Sequence, residues 1–227
     1  IDKLAKVPLA HQPGERFSYG LNMDVLGRII EIVSGQKLNT YFKENIFDKV
    51  GMPDSHFYLP VDKFDRLAPV YTSVQGKLMA LEEIGAQAQA SYPKEGPRDL
   101  FAGGAGLSMT TIDYANFIQT LVEGGGNILG SKGLTEMTKD QMPSVINDYE
   151  TKERGSSFAL GFSLYLDSPE KKSPKSPGTY EWGGYFNTKF FIDPEEQLIF
   201  VGMTQVVPFQ SPEFWEEIYG LIYEAIK

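Results

Sequence analysis

Val25, Leu26, Ile29, Ile30, Ile32 and Val33 recur at helical spacing and Gly35 supplies a stop, which predicts a helix over residues 24–34. A second helix is expected from Asn39 as cap through Phe42 and Ile46 to Phe47. Residues 54–100 are weakly patterned, with Pro, Gly and Gln/Ala-rich pieces, and read as loop with short elements. The glycine-rich run from Phe101 to Thr110 leads into a third helix, with Thr110 as cap, Asp113 as in a capping box and Ile118, Leu121 and Val122 as its buried face. Gly124-Gly125-Gly126 ends it, and a fourth helix is expected over about 131–141. After about residue 155 the period changes. Residues 158–166, 185–193 and 198–204 read as strands, the last two joined by a turn at Pro194–Gln197. A final helix starts with Ser211 as cap and Pro212 in its first turn, and carries Trp215, Ile218, Ile222 and Ala225 on one face. Helices followed by an antiparallel meander and a packed helix define an α+β fold. Its two parts are a mainly helical region with loops over residues 1–155, and the β-meander with C-terminal helix over 156–227.

Hydrophobic content of 41% over 227 residues is enough for one sizeable core. No apolar run is long enough to span a membrane. The net charge of −9, with no basic cluster to offset it, argues against nucleic acid as a partner. Cysteine is absent, which removes disulfides, thiolate nucleophiles and Cys-based metal sites together. The chain opens on Ile1 with neither signal peptide nor initiator Met, as expected of a segment of a longer chain.

Several familiar chemistries fail on spacing. The two histidines, His11 and His56, have no carboxylate pattern near them and no Gly-x-Ser-x-Gly elbow, which disfavours a Ser-His-Asp triad. No His pair at helical spacing offers a metal site, and no cofactor motif is complete. A serine one helical turn from a desolvated lysine can act as a nucleophile. Three such tetrapeptides occur. Ser34–Lys37 straddles the stop at Gly35, while Ser91–Lys94 and Ser168–Lys171 contain proline and lie in polar stretches read as flexible.

The pair Gly183-Gly184 after Trp182 is costly in a β-rich stretch and marks a place where a backbone passes close to a ligand or another segment. Four segments in order carry a family resemblance: Pro13-Gly14 to Tyr19 with Asp24 to Gly35, then Gly103 to Thr111 with Asp113-Tyr114, then Leu160-Gly161-Phe162, then Trp182-Gly183-Gly184 with Ile192-Asp193-Pro194. Together they resemble the class C β-lactamase-like serine hydrolases, a group that includes penicillin-binding proteins and family VIII carboxylesterases. The resemblance implies a β-lactamase/transpeptidase-like fold and hydrolysis of an ester or amide through an acyl-enzyme, without metal or cofactor. By it, Tyr19 matches the tyrosine of the Tyr-x-Asn motif that helps move the nucleophile's proton. The Trp182-Gly183-Gly184 run takes the place of Lys-Thr-Gly, and the backbone N–H of Tyr185 becomes an oxyanion-hole donor. Leu21, Tyr185, Phe186 and the Gly103–Ser108 loop are expected as pocket walls, Trp182 as a further substrate-binding residue, with Gly183 and Gly184 letting the acyl group lie along the strand.

Three departures shape the expected function. Leu21 stands where the motif has asparagine, and Trp182 where it has lysine, so polar recognition is reduced and an uncharged ester is favoured over an antibiotic. No Ser-x-x-Lys precedes Tyr19, so the nucleophile is expected in a missing N-terminal segment of the same protein, and this chain alone is expected to be inactive. The rival readings are a non-catalytic binding or peptidoglycan-associated module of the same fold, and a true β-lactamase or D-Ala-D-Ala peptidase. The resemblance also implies a periplasmic or secreted location.

Overall fold

The computed structural model describes residues 1, 3–86, 88–142, 146–147, 155–167, 173–208 and 213–226. A two-residue strand β1 (Arg16–Phe17), paired in parallel with β4 (Ile146–Asn147), leads into helix α1 (Asn22–Ser34). Gly35 closes α1 in the left-handed region at φ 71°, as the sequence implies. The helix packs through a glycine. Gly27 is its buried residue, because a Cβ there would come within 2.8 Å of Leu38 Cδ2.

The second helical stretch is α2 (Leu38–Phe42), a π turn at Lys43–Phe47 and a short α3 (Asp48–Val50). It begins ahead of Asn39, which is not the cap. Leu38 has to seat under Gly27 and is completely buried, and its N–H is accepted by Glu31 Oε1 at 3.1 Å. The carboxylate of α1 thus does the capping expected of Asn39, whose buried Oδ1 has no partner among the described residues.

Residues 54–100 hold more structure than their pattern suggests. Strands β2 (Tyr71–Val74) and β3 (Lys77–Ala80) form a hairpin whose turn residues Gln75 and Gly76 both have positive φ. Helix α4 (Ala88–Glu95) follows, with Pro93 inside it. Helix α5 (Thr111–Val122) starts as expected, Thr110 Oγ1 accepting the Asp113 N–H at 3.1 Å. The capping box is not reciprocal. The buried Asp113 carboxylate instead accepts from the Asp54 N–H and Ser55 Oγ, each at 2.8 Å, and so fastens that loop to α5. Ile118 and Leu121 are buried, whereas Val122 turns to solvent. Helix α6 (Ser131–Thr138) is shorter than the stretch expected.

The sheet is an antiparallel meander of five strands, β5 (Ser156–Phe158), β6 (Ser163–Tyr165), β7 (Tyr180–Gly183), β8 (Thr188–Asp193) and β9 (Leu198–Met203), in that order. The single strand expected over 158–166 is split between β5 and β6, because Gly161 at φ 89° turns the chain and Ala159 N–H bonds to Phe162 O. Side chains alternate between two faces. Tyr180, Phe190 and Ile192 meet Ile118 and Leu121 of α5, while Phe191 and Phe200 meet Trp215, Tyr219 and Tyr223 of the final helix α7 (Glu213–Ala225). The Ser211 cap and Pro212 lie outside the described residues. The result is an α+β fold with helices on both faces of an antiparallel sheet.

Candidate active site

Aromatic contacts bring the two ends of the predicted site together. Phe17 of β1 stacks on Phe158 of β5 with ring centroids 4.4 Å apart, and Phe158 meets the Trp182 ring at 5.6 Å. Trp182 in turn lies 5.8 Å from the ring of Tyr19, so residues from the start of the chain and from β7 share one surface. The Tyr19 side chain is 61% exposed and open to a ligand. Just before it, His11 Nδ1 lies 3.1 Å from the Gln12 carbonyl, which calls for a proton on Nδ1 and leaves Nε2 to accept from Ser18 Oγ at 3.0 Å. This anchor for the Tyr19 loop was not visible in the sequence, where His11 is a lone histidine.

Trp182 and Gly183 end β7, and Gly184 opens a tight turn; the following strand starts at Thr188, not at Tyr185 as its pattern suggests. The Gly184 N–H bonds to Thr188 O at 2.9 Å, and the Asn187 N–H bonds back to Gly184 O at 3.0 Å. Steric crowding explains both glycines. A Cβ on Gly184 would lie 2.4 Å from Thr188 Oγ1, and one on Gly183 would lie 2.9 Å from both Thr188 O and Lys189 Nζ. The β6–β7 ladder stops at Ser163↔Glu181, so Trp182-Gly183-Gly184 has no strand on that side among the described residues.

The turn also presents Tyr185. Its side chain is exposed, and its N–H has no hydrogen-bond partner among the described residues. Phe186 is half-buried against Val70, Leu81 and Val207 and holds the turn down, with its ring edge-on to Tyr185 at 5.3 Å. Beside Tyr185 an open groove of about 430 Å³ is lined by Thr72, Leu81, Ile84, Ala86, Val207 and Pro208, none of them charged. Asn187, buried at φ 61°, is the fastener beneath. Its amide donates to Thr204 Oγ1 and accepts from Trp215 Nε1, both at 2.8 Å, tying the turn to the end of β9 and to α7.

Leu21 is exposed at the start of α1, and Asn22 is the first residue of that helix. The Gly103–Ser108 loop packs on the same helix start. A Cβ on Gly103 would lie 2.3 Å from Met23 O, and the Gly104 N–H faces Asp24 Oδ1 at 3.4 Å. Its first glycines therefore position α1, and through it the Tyr19–Leu21 segment.

The Ser-x-x-Lys tetrapeptides contribute no paired nucleophile among the described residues. Ser34 Oγ bonds to Ile30 O at 2.6 Å, and Lys37 lies beyond the helix end. Ser91 and Lys94 lie on a helix, contrary to the flexible reading. No hydrogen bond joins them, and the Lys94 ammonium sits over the Phe64 ring at 5.8 Å. Ser168–Lys171 lies outside the described residues. Among those residues no group of three or more His, Asp or Glu could hold a metal, and no helix is long and apolar enough to cross a membrane.

The fold is that of a β-lactamase-like protein. The family model for beta-lactamase matches residues 1–219, and the chain belongs to that family. It is 28% identical over 229 residues to lovastatin esterase of Penicillium rubens, covering 91% of this chain and 55% of that protein. The solved structure of EstCE1, a hydrolase with promiscuous acyltransferase activity, is 23% identical and superposes with a TM-score of 0.82, covering 97% of this chain and 59% of that one. Simvastatin synthase of Aspergillus terreus, at 22% identity and a TM-score of 0.81, shares the fold over 96% of this chain and 58% of its own. The chain spans about half the length of the curated relatives it matches.

Proposed function

We propose that this chain is the tyrosine- and oxyanion-bearing part of a β-lactamase-like serine hydrolase that acts on an ester or amide through an acyl-enzyme, most in keeping with an esterase. A serine in an upstream segment of the same protein attacks the carbonyl carbon, its proton passing toward the Tyr19 phenol, which needs a nearby cation to act as a base at neutral pH. The carbonyl oxygen, negative in the tetrahedral intermediate, is met by the Tyr185 N–H. Expulsion of the alcohol leaves the acyl group on serine, and water releases it. The observation that carries this reading is the Tyr185 N–H, unpartnered among the described residues, on a glycine-forced turn that follows directly from the Trp182–Tyr19 contact. Export of the whole protein to the periplasm or medium belongs to the same reading, and fractionation of cells expressing the full gene tests it.

Fluorophosphonate labelling, read by intact mass and peptide mapping, separates the alternatives. The folded chain alone is expected to take no adduct, and the chain joined to its upstream segment to take one on a Ser-x-x-Lys serine. Heat-sensitive labelling of Ser34, Ser91 or another serine of this chain would sink the division into two parts. No adduct on the full-length protein would favour a binding module of the same fold. Turnover of a short-chain aryl ester against a chromogenic cephalosporin then distinguishes esterase from β-lactamase.

A further inference from the structure

The loss of a lysine at Trp182 removes a cation from one face of β7, and the structure puts another on the opposite face. Lys189 of β8 is the register partner of Gly183 on β7 and of Gly202 on β9, so its side chain emerges between two glycines. The β9 side of that gap is closed, because the Trp215 ring fills the space over Gly202, coming within 2.5 Å of where a Cβ would stand. On the β7 side the residue opposite is Gly183, which has no side chain. The lysine stem runs that way, its Cδ 3.0 Å and its Nζ 2.9 Å from the Cβ position of Gly183. The ammonium thereby lies over Gly183, a residue of β7 that β6 leaves unpaired.

Charge on this face is otherwise spoken for. Glu181, two residues up β7 on the same side, is paired with the buried ammonium of Lys175, which sits over the rings of Tyr219, Tyr165 and Phe191. Lys189 itself has neither a hydrogen bond nor an ion pair among the described residues, although it is half-buried. A half-buried, unpaired cation is an unfinished interaction. It lies over Gly183, two residues along the chain from the Tyr185 N–H.

We propose that Lys189 is a substrate-binding residue that receives a carboxylate or comparable anionic group carried by the ester, while the reacting carbonyl lies at the Tyr185 N–H. The inference rests on the ester-hydrolase reading of this site and revises the expectation of an uncharged substrate drawn from Trp182 and Leu21. Glycine at 183 leaves room for this path, since a Cβ there would stand 2.9 Å from the present Nζ and displace it. The overall charge of −9 repels anions, so any preference for one must arise locally.

The test needs no turnover. The ¹⁵N-labelled chain is titrated with monomethyl adipate, which carries one carboxylate, and with neutral dimethyl adipate, following the amides of Gly183, Gly184 and Tyr185. The half-ester is expected to bind at least about fivefold more tightly at low salt, with the gap narrowing as salt screens the pair. Lys189→Met is expected to abolish the gap and Lys189→Arg to keep it, with thermal melts confirming that both variants fold. Equal binding of the two esters to the wild-type chain, or a gap that survives in Lys189→Met, overturns the role of Lys189 alone. If neither ester moves the three amides, the ester-site reading falls and this inference with it.

Discussion

Asn187 sits under the turn that carries the Tyr185 N–H, and three of its polar groups are engaged there: its side-chain amide with Thr204 and Trp215, its carbonyl with Thr204 Oγ1, its N–H with Gly184. Its backbone is left-handed, a conformation asparagine tolerates better than most residues. Asn187→Ala strands the buried indole N–H of Trp215, while Thr204 Oγ1 keeps the backbone carbonyl as acceptor, and is expected to cost about 1–3 kcal/mol, the penalty of one orphaned buried donor. Chemical denaturation measures it. Sequence reading missed this residue because Asn187 falls in a stretch whose aromatic and β-branched neighbours mimic an uninterrupted strand. By contrast, Gly183 and Gly184 were legible, since paired glycines have few uses in a sheet. In the sequence Asp193 stands out only as part of a motif, yet it is fully buried. Burial pushes its carboxyl up, but hydrogen bonds from Tyr223, the Ser176 N–H and the Glu196 N–H outweigh that and hold it below the usual carboxylate range. A lowered folded-state value means stability that is present above the unfolded value near 4 and is lost as pH falls through the folded value. Thermal midpoints of the wild type should therefore hold from pH 7 to about 5 and drop below about 4. Asp193→Asn should start lower at pH 7 and show a shallower acid drop.

At the scale of elements, periodicity located α1, α5 and the strand pair β8–β9, because each has a long, regular pattern. Boundaries failed where a tertiary contact overrode a local signal. Leu38 entering under Gly27 moved a helix start, and Gly161 cut one expected strand into two. The 54–100 region reads as loop in the sequence because its hairpin and α4 bury little apolar surface and so leave little periodicity. The glycine loop 101–110 was recognised as special, but the reason is contact with the start of α1. Gly103→Ala would press a methyl group onto the Met23 carbonyl, and is expected to destabilise by about 1–3 kcal/mol and to shift the Tyr19 amide resonance. A fall in stability with no change at Tyr19 would show that the loop does not position that segment. Lys175 is a different kind of link, a cation buried between strand and helix. Glu181→Ala leaves it unpaired at an expected cost of about 3–5 kcal/mol, whereas the double change Lys175→Met, Glu181→Leu should recover most of it. Equilibrium unfolding of both variants decides this.

Across the whole molecule, apolar surface is unevenly covered. Leu26, Ile29, Ile32 and Val33 of α1 are all at least 48% exposed, on a helix whose spacing suggested a buried stripe. A contiguous apolar face of this kind favours association. The isolated chain is expected to self-associate at tens of micromolar, and Leu26→Glu with Val33→Glu to return it to monomer without lowering its thermal midpoint. Sedimentation velocity reads the first and calorimetry the second. The sequence gives no hint of this exposure, because a helical stripe looks the same whether or not its cover is present.

The sequence contains two tryptophans, and the fold places one on each side of the same turn. Trp182 lies half-buried against Tyr19 at the site, and Trp215 lies buried beneath, its indole N–H held by Asn187. The molecule therefore carries a label-free optical gauge of its own Gly184–Asn187 turn. Occupation of the site should alter the red-shifted emission of Trp182, and loosening of α7 the blue-shifted emission of Trp215. Single Trp→Phe variants would turn a routine fluorimeter into a two-channel reading of ligand above and anchor below.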